Sequence, residues 1–161
     1  MNISVDLQVA CQVESVPQQT EVQSWLEQAY QAGTRDDSGQ RDVSVRIVGE
    51  NESRMLNMQY RQQDKPTNVL AFPAAGPEEI SDLPDDAIQP LGDLVICGPL
   101  VEQEAAQQGK SAAGHWGHLL VHGMLHLLGY DHETSGQAAE MESMEKRILA
   151  NRGVEDPYLG R

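Results

Sequence analysis

All five histidines of this 161-residue chain fall between His115 and His132. Three of them sit in the string His122-Gly123-Met124-Leu125-His126-Leu127-Leu128-Gly129-Tyr130-Asp131-His132. Imidazoles four residues apart lie one turn apart on the same face of a helix. Gly129, three residues after His126, lets the chain turn sharply out of that helix, so that His132 swings back toward the other two. Three neutral nitrogen ligands with a fourth position left open make a catalytic zinc, which acidifies a bound water to a pKa of about 7. The expected ligands of one zinc ion are therefore His122, His126 and His132. An all-histidine set also accommodates copper, iron or nickel.

A lone histidine on an apolar helix is ordinarily a hydrogen-bonded core or surface residue. Three at this spacing, among Leu119, Val121, Leu125, Leu127 and Leu128, are different. Burying imidazoles without partners costs about 1–3 kcal/mol each, and one metal resolves them together. His118 continues the stripe one turn before His122, and His115 lies one turn before that. These two are expected to support the ligands, pack, or face substrate. The spacing His-x3-His-x2-Gly-x2-His is also that of the metzincin peptidases, in which a glutamate directly after the first histidine is the general base. Here that position is Gly123, which cannot take a proton, so a peptidase is the lesser alternative.

The elements that must position these residues alternate along the chain. Ile3, Val5, Leu7 and Val9 read as a strand with one buried face, and Val43, Val45 and Ile47 as a second. Between them, Thr20 is placed to cap a helix carrying Val22, Trp25, Leu26, Ala29 and Tyr30 inward and ending at Gly33. Asn51 is placed to cap another through about Gln62, with Met55, Leu56, Gln59 and Tyr60 inward. Thr67 to Phe72 is a short strand, and Leu91 to Cys97 another, with Asp93 interrupting its apolar run. Helices follow at about Pro99–Gln108, Ser111–Leu128 and Ser135–Asn151, the last with a core stripe of Met141, Met144, Ile148 and Leu149. The expectation is an α+β fold: a single domain over residues 1–161, a small mixed sheet of about four strands covered by helices, and the metal site on a helix of the C-terminal half.

Bulk properties set limits on partners. A formal charge of −14 argues against nucleic acid, since phosphate binding needs local Lys and Arg. Yet the acid is unevenly spread: Glu78, Glu79, Asp82, Asp85 and Asp86 crowd a Pro-rich excursion from Pro73 to Pro90, while Arg46, Arg54, Arg61 and Lys65 cluster earlier. Net charge governs long-range steering, not the field at one site. Cys11 and Cys97, far apart, resemble neither a disulfide framework nor a CxxC metal site. With no apolar run long enough for a membrane span and no charged-then-apolar leader, the expected location is the cytoplasm.

The segment His115-Trp116-Gly117-His118 through Asp131-His132 resembles the signature of the YbeY family of bacterial endoribonucleases. The likeness extends to Asn57-Met58-Gln59-Tyr60-Arg61, to Asp64-Lys65-Pro66-Thr67-Asn68-Val69-Leu70-Ala71-Phe72-Pro73, to Leu91-Gly92-Asp93-Leu94-Val95-Ile96-Cys97, and to the tail Glu155-Asp156-Pro157-Tyr158. Asn68 stands where the family more often has aspartate, and Ala71 where it often has serine. The resemblance implies a zinc-dependent, single-strand-specific endoribonuclease acting on the 3′ end of small-subunit ribosomal RNA and in ribosome quality control. It implies His122, His126 and His132 as metal ligands and Arg61 as the required arginine. Single-stranded RNA, the small ribosomal subunit and assembly factors such as the GTPase Era are the implied partners, with no DNA and no membrane.

Physics gives Arg61 a coherent role, because an always-charged bidentate guanidinium suits the extra charge on the oxygens of a phosphodiester transition state. Away from a cleft it would be a surface arginine in a helix-end salt bridge. Asp131 either accepts a ligand histidine's ring N–H or shapes the turn. Asp93 either meets a specific partner or is hydrogen-bonded structure. A third reading, a non-catalytic ribosome-assembly module with structural zinc, requires a closed four-ligand site, for which His118 is the obvious extra ligand.

Overall fold

The computed structural model describes residues 3–34, 39–74, 88–131 and 133–158. Along them run β1 (Ile3–Val9), α1 (Gln19–Gly33), β2 (Arg41–Val48), α2 (Glu50–Arg61), β3 (Val69–Pro73), β4 (Gln89–Cys97), α3 (Gly98–Gln108), α4 (Ala112–Leu127) and α5 (Ser135–Ala150). The strands form one mixed sheet in the order β1-β2-β4-β3. β1, β2 and β4 are parallel, and β3 pairs antiparallel with β4 at the edge. The expected α+β architecture is the one observed. The acidic stretch 75–87 and His132 lie outside the described residues.

Strand periodicity divides the core in two. Val43, Val45, Ile47, Leu94 and Ile96 point to one face, into a cluster with Leu26, Tyr30, Leu120, Met124, Met141 and Leu149. There α1 lies on β1, α4 lies on β3 and β4, and α5 packs against both helices. The alternate residues Val48, Leu70 and Val95 form a smaller cluster on the opposite face with Leu56 and Phe72. Among the described residues, this second face is only partly covered.

Two glycines bring the histidine helix down onto its neighbours. A Cβ at position 117 would lie 2.4 Å from the Trp25 ring, so Gly117 lets α4 and α1 pack at short range. A Cβ at position 123 would lie 2.8 Å from Leu94, so Gly123 seats α4 on β4. The absence of an acid after His122 thus has a packing cause as well as a chemical consequence. Ser111 caps the start of α4 by accepting from the Gly114 N–H. At the other end Gly129 takes φ +101°, while Tyr130 N donates to Leu125 O and Gly129 N to His126 O. This is the Schellman termination that the glycine anticipates.

Three expectations for the first half need correction. Neither Thr20 nor Asn51 caps its helix; Gln18 and Gly49 occupy those positions, without a side-chain cap bond. Met55 and Tyr60 do not point inward: they are 61% and 55% exposed. The buried residues of α2 are Ser53 and Asn57, which bind polar backbone, while Leu56 alone joins the small apolar cluster on the sheet. Ser53 Oγ donates to Thr67 O at 2.8 Å and accepts from Thr67 N, and Asn57 Nδ2 donates to Lys65 O at 2.8 Å. The turn leading into β3 is thereby tied to α2.

The close approach at Gly117 is testable. Gly117→Ala should lower the unfolding free energy by about 1–3 kcal/mol in a denaturant titration, the usual cost of overpacking against a rigid ring. Gly136→Ala, where an added Cβ meets nothing within 4 Å, should leave stability unchanged or raise it by about 0.4–1 kcal/mol.

Candidate metal centre and its cleft

An open cleft of about 330 Å³ brings together Arg61 from the end of α2, Thr67 to Ala71 from β3 and its approach, and His122, Gly123 and His126 from α4. Arg61 arrives there because α2 stops abruptly: Gln62 adopts the left-handed conformation, φ 57° and ψ 34°. A salt bridge does form near this helix end, but it joins Arg54 to Asp64 at 2.6 Å rather than using Arg61. His122 and His126 stand edge to face across one helical turn, with ring centroids 4.7 Å apart. No carboxylate is among the described residues lining the cleft.

Behind His122 lies a residue that spacing alone did not single out. Glu145, on α5, has no exposure to solvent. Its Oε1 is 2.6 Å from His122 Nδ1, and its Oε2 accepts from the Tyr158 hydroxyl. His118 Nε2 is 3.5 Å from the same Oε1. Burial would push the Glu145 carboxyl up, but hydrogen bonds from His118, His122 and Tyr158 and the charge of His122 outweigh it and hold it down at about 2. Burial pushes His118 down from its ordinary value. The signal for Glu145 was in its position. It interrupts the apolar stripe Met141, Met144, Ile148 and Leu149 at a core-facing step, and a buried acid requires a partner. Tyr158 is the last residue of the family-like tail, which Lys110 Nζ holds by donating to Pro157 O at 2.7 Å.

The remaining histidines are held by the same kind of contact. His115 is buried with Nε2 2.9 Å from Glu104 Oε1 on α3. Asn68 Nδ2 donates to Glu104 as well, at 3.1 Å. Burial raises the Glu104 carboxyl, yet the bonds from His115 and Asn68 prevail and lower it. The departure from aspartate at position 68 acquires a reason here: asparagine donates to Glu104, whereas a second carboxylate would repel it. His115 and His118 face a separate cavity of about 390 Å³, bounded also by Lys110 and Pro157.

The structure therefore sets Arg61, His122 and His126 around one cleft and keeps His115 and His118 behind it. His132 lies outside the described residues, and Asp131, just before it, is partly buried. His118, His122 and Glu145 bring ligand atoms within 4.8 Å of one another, a group that could hold a metal ion. His122 belongs both to this buried group and to the cleft. A histidine whose Nδ1 is held by a carboxylate presents Nε2 to a metal in a fixed orientation, with raised basicity. Among the described residues the buried His118, His122 and Glu145 bring three donors together, while the cleft side of the His122 ring offers His122 and His126. Both oxygens of Glu145 are already engaged, one by His122 and one by Tyr158.

Two outcomes are expected. Glu145→Gln should weaken metal binding by about 10- to 100-fold in a chelator competition. In the metal-free protein, acid should destabilise the fold in two stages. The share contributed by neutral His118 is present above its ordinary value of 6.5 and is lost as pH falls below it. The share from Glu145 is present above 4.5 and is lost as pH falls toward about 2. Denaturation midpoints measured down this pH range should decline throughout, and Glu145→Gln should flatten the lower part.

Comparison with known proteins gives the family. The family described as Endoribonuclease YbeY matches residues 7–153. A protein named Endoribonuclease YbeY from Halorhodospira halophila is 55% identical over 147 residues, covering 91% of each chain. One of the same name from Stutzerimonas stutzeri is 48% identical over 156 residues, covering 97% of this chain and 91% of the relative. The solution structure of a Thermotoga maritima protein superposes with a TM-score of 0.58 at 25% identity, covering 98% of this chain and 99% of the other. With the family match spanning residues 7–153 and relatives about half identical over nine-tenths or more of the chain, the chain belongs to the YbeY endoribonuclease family.

Proposed function

We propose that this protein is a zinc-dependent, single-strand-specific endoribonuclease that matures the 3′ end of small-subunit ribosomal RNA and acts in ribosome quality control. Its ligands are His122, His126 and His132, and Arg61 is its catalytic arginine. It works in the cytoplasm, with the small ribosomal subunit and assembly factors such as the GTPase Era as partners. Family membership supports the endoribonuclease reading. The observation that carries the chemistry is the shared cleft of Arg61, His122 and His126, with no carboxylate on its described walls.

When bound, the zinc ion supplies positive charge for a phosphoryl oxygen and a water acidified toward neutral pH. The protein's own groups do the rest. Glu145 fixes the His122 ring through Nδ1, so that no orientation need be found when substrate arrives. Arg61 presents paired N–H donors to the non-bridging oxygens, where charge grows as the phosphodiester opens. A polyanion meets no repelling carboxylate from the described lining, so the local field favours RNA although the chain as a whole is acidic. A peptidase would need an acid within reach of the attacking water, and Gly123 seated on Leu94 leaves no room for one at the usual position.

The test is cleavage of single-stranded RNA by zinc-loaded protein, with a duplex of the same sequence in parallel. The parent should cut only the single strand, and His122→Ala and Arg61→Ala should each lose about 100-fold or more in kcat/KM. If highly purified protein leaves the RNA intact, or both variants cut as well as the parent, the proposal is wrong.

A further inference from the structure

The partly covered face of the sheet carries a feature that the metal chemistry does not use. The chain has only seven aromatic residues besides histidine: one Phe, two Trp and four Tyr. Trp25, Trp116 and Tyr30 are buried in the core. Tyr130 donates its hydroxyl to Gly33 O, and Tyr158 donates to Glu145. Tyr60, in contrast, is 55% exposed and meets the sole phenylalanine, Phe72, edge to face with centroids 5.0 Å apart. The two rings border an open cleft of about 520 Å³ together with Ser44, Arg46, Leu56 and Asp93.

Chain connectivity ties this cleft to the metal cleft. Tyr60 immediately precedes Arg61, and Phe72 immediately follows Ala71. Arg61 and Ala71 line the metal cleft, whereas Tyr60 and Phe72 line the aromatic one. Neighbouring strand residues point to opposite faces, and β3 is the edge strand of the sheet. A polynucleotide leaving the metal cleft thus reaches the rings by crossing a single strand. Gly92 sets the height of that edge: at φ +142° a Cβ there would lie 2.3 Å from Phe72 O, so only glycine lets β3 approach β4 this closely.

The lining chemistry selects what the aromatic cleft accepts. Arg46 is already paired with Glu52 in two hydrogen bonds, of 2.6 and 3.0 Å, and so offers little net charge. Asp93 is exposed there and repels phosphate. Two rings, a leucine side chain and an acceptor carboxylate suit a flat base with an exocyclic amine, while the phosphates remain on the Arg61 side. We propose that Tyr60 and Phe72 form a stacking platform for an unpaired base flanking the scissile phosphate, and that this platform is how the protein prefers single strands. In a duplex the bases are stacked on one another and unavailable to the rings. The inference rests on the endoribonuclease reading above.

The experiment follows cleavage of a short fluorescent single-stranded RNA by the zinc-loaded protein. Tyr60→Ala should raise KM by about 5- to 150-fold, the weight of one base–aromatic stack, with kcat little changed. Tyr60→Phe should recover that loss. Phe72→Leu, which keeps the packing on Leu70, should raise KM in the same direction. Met55→Ala, on the same helix and equally exposed, should not alter it, and thermal melts should show all four variants folded. Replacing the RNA bases one at a time by abasic sites should reveal one position near the cut that costs the parent affinity and costs Tyr60→Ala nothing further. If the parent cuts but Tyr60→Ala keeps the parental KM, or the abasic penalty is the same in both, the platform is refuted while the nuclease reading stands. If the parent does not cut, both fail.

Discussion

Glu145 sits among methionines and leucines with no access to water, and it is charged there only because other residues donate to it. His122 and Tyr158 occupy its two oxygens, and His118 lies just beyond. An uncompensated carboxylate at this depth would cost several kcal/mol. The contact therefore constrains both partners: the acid needs the imidazole, and the imidazole is held in one orientation by the acid. Because α4 carries the imidazole and α5 the acid, this contact ties together two helices whose apolar side chains also share the core. The Lys110-pinned tail, which carries Tyr158, closes the arrangement from outside.

From that constraint the functional surface follows. α4 can present His122 and His126 to the cleft only if it is seated against the sheet, which Gly123 and Gly117 permit. Arg61 can meet them only if α2 stops where it does and if Ser53 and Asn57 bind the turn that leads into β3. Each of these is a backbone or packing device remote from the chemistry, yet each sets the position of one wall of the cleft. The acidity of the chain is not in conflict with a polyanionic substrate, because the described cleft walls carry Arg61 and no acid.

The part of this that sequence could reveal depended on how local the signal was. Histidines at four-residue spacing and a glycine after the last turn are local patterns, and α4 with its Gly129 termination reproduces them. The alternation of Val43, Val45 and Ile47 likewise reports a buried strand. Apolar periodicity misdirects where a helix buries polar groups: Met55 and Tyr60 have the spacing of a core face, but Ser53 and Asn57 are the buried pair because they satisfy backbone groups near residue 67. Asp93 in an apolar run is an exposed position on the face of β4 that, two residues on, buries Val95 in the smaller cluster. The partners of Glu104 and Glu145 were hidden for a different reason. The roles of these acids depend on partners many residues away, and only the fold brings them to His115 and His122.

The central claim is that Glu145 clamps His122 from behind while the metal belongs on the Arg61 side. Anomalous X-ray diffraction from zinc-loaded crystals tests this most directly. The account predicts one ion in the cleft, bound by His122 Nε2 and by His126, with Glu145 still accepting from His122 Nδ1. An ion coordinated instead by Glu145 and His118, on the far side of the His122 ring, would contradict it.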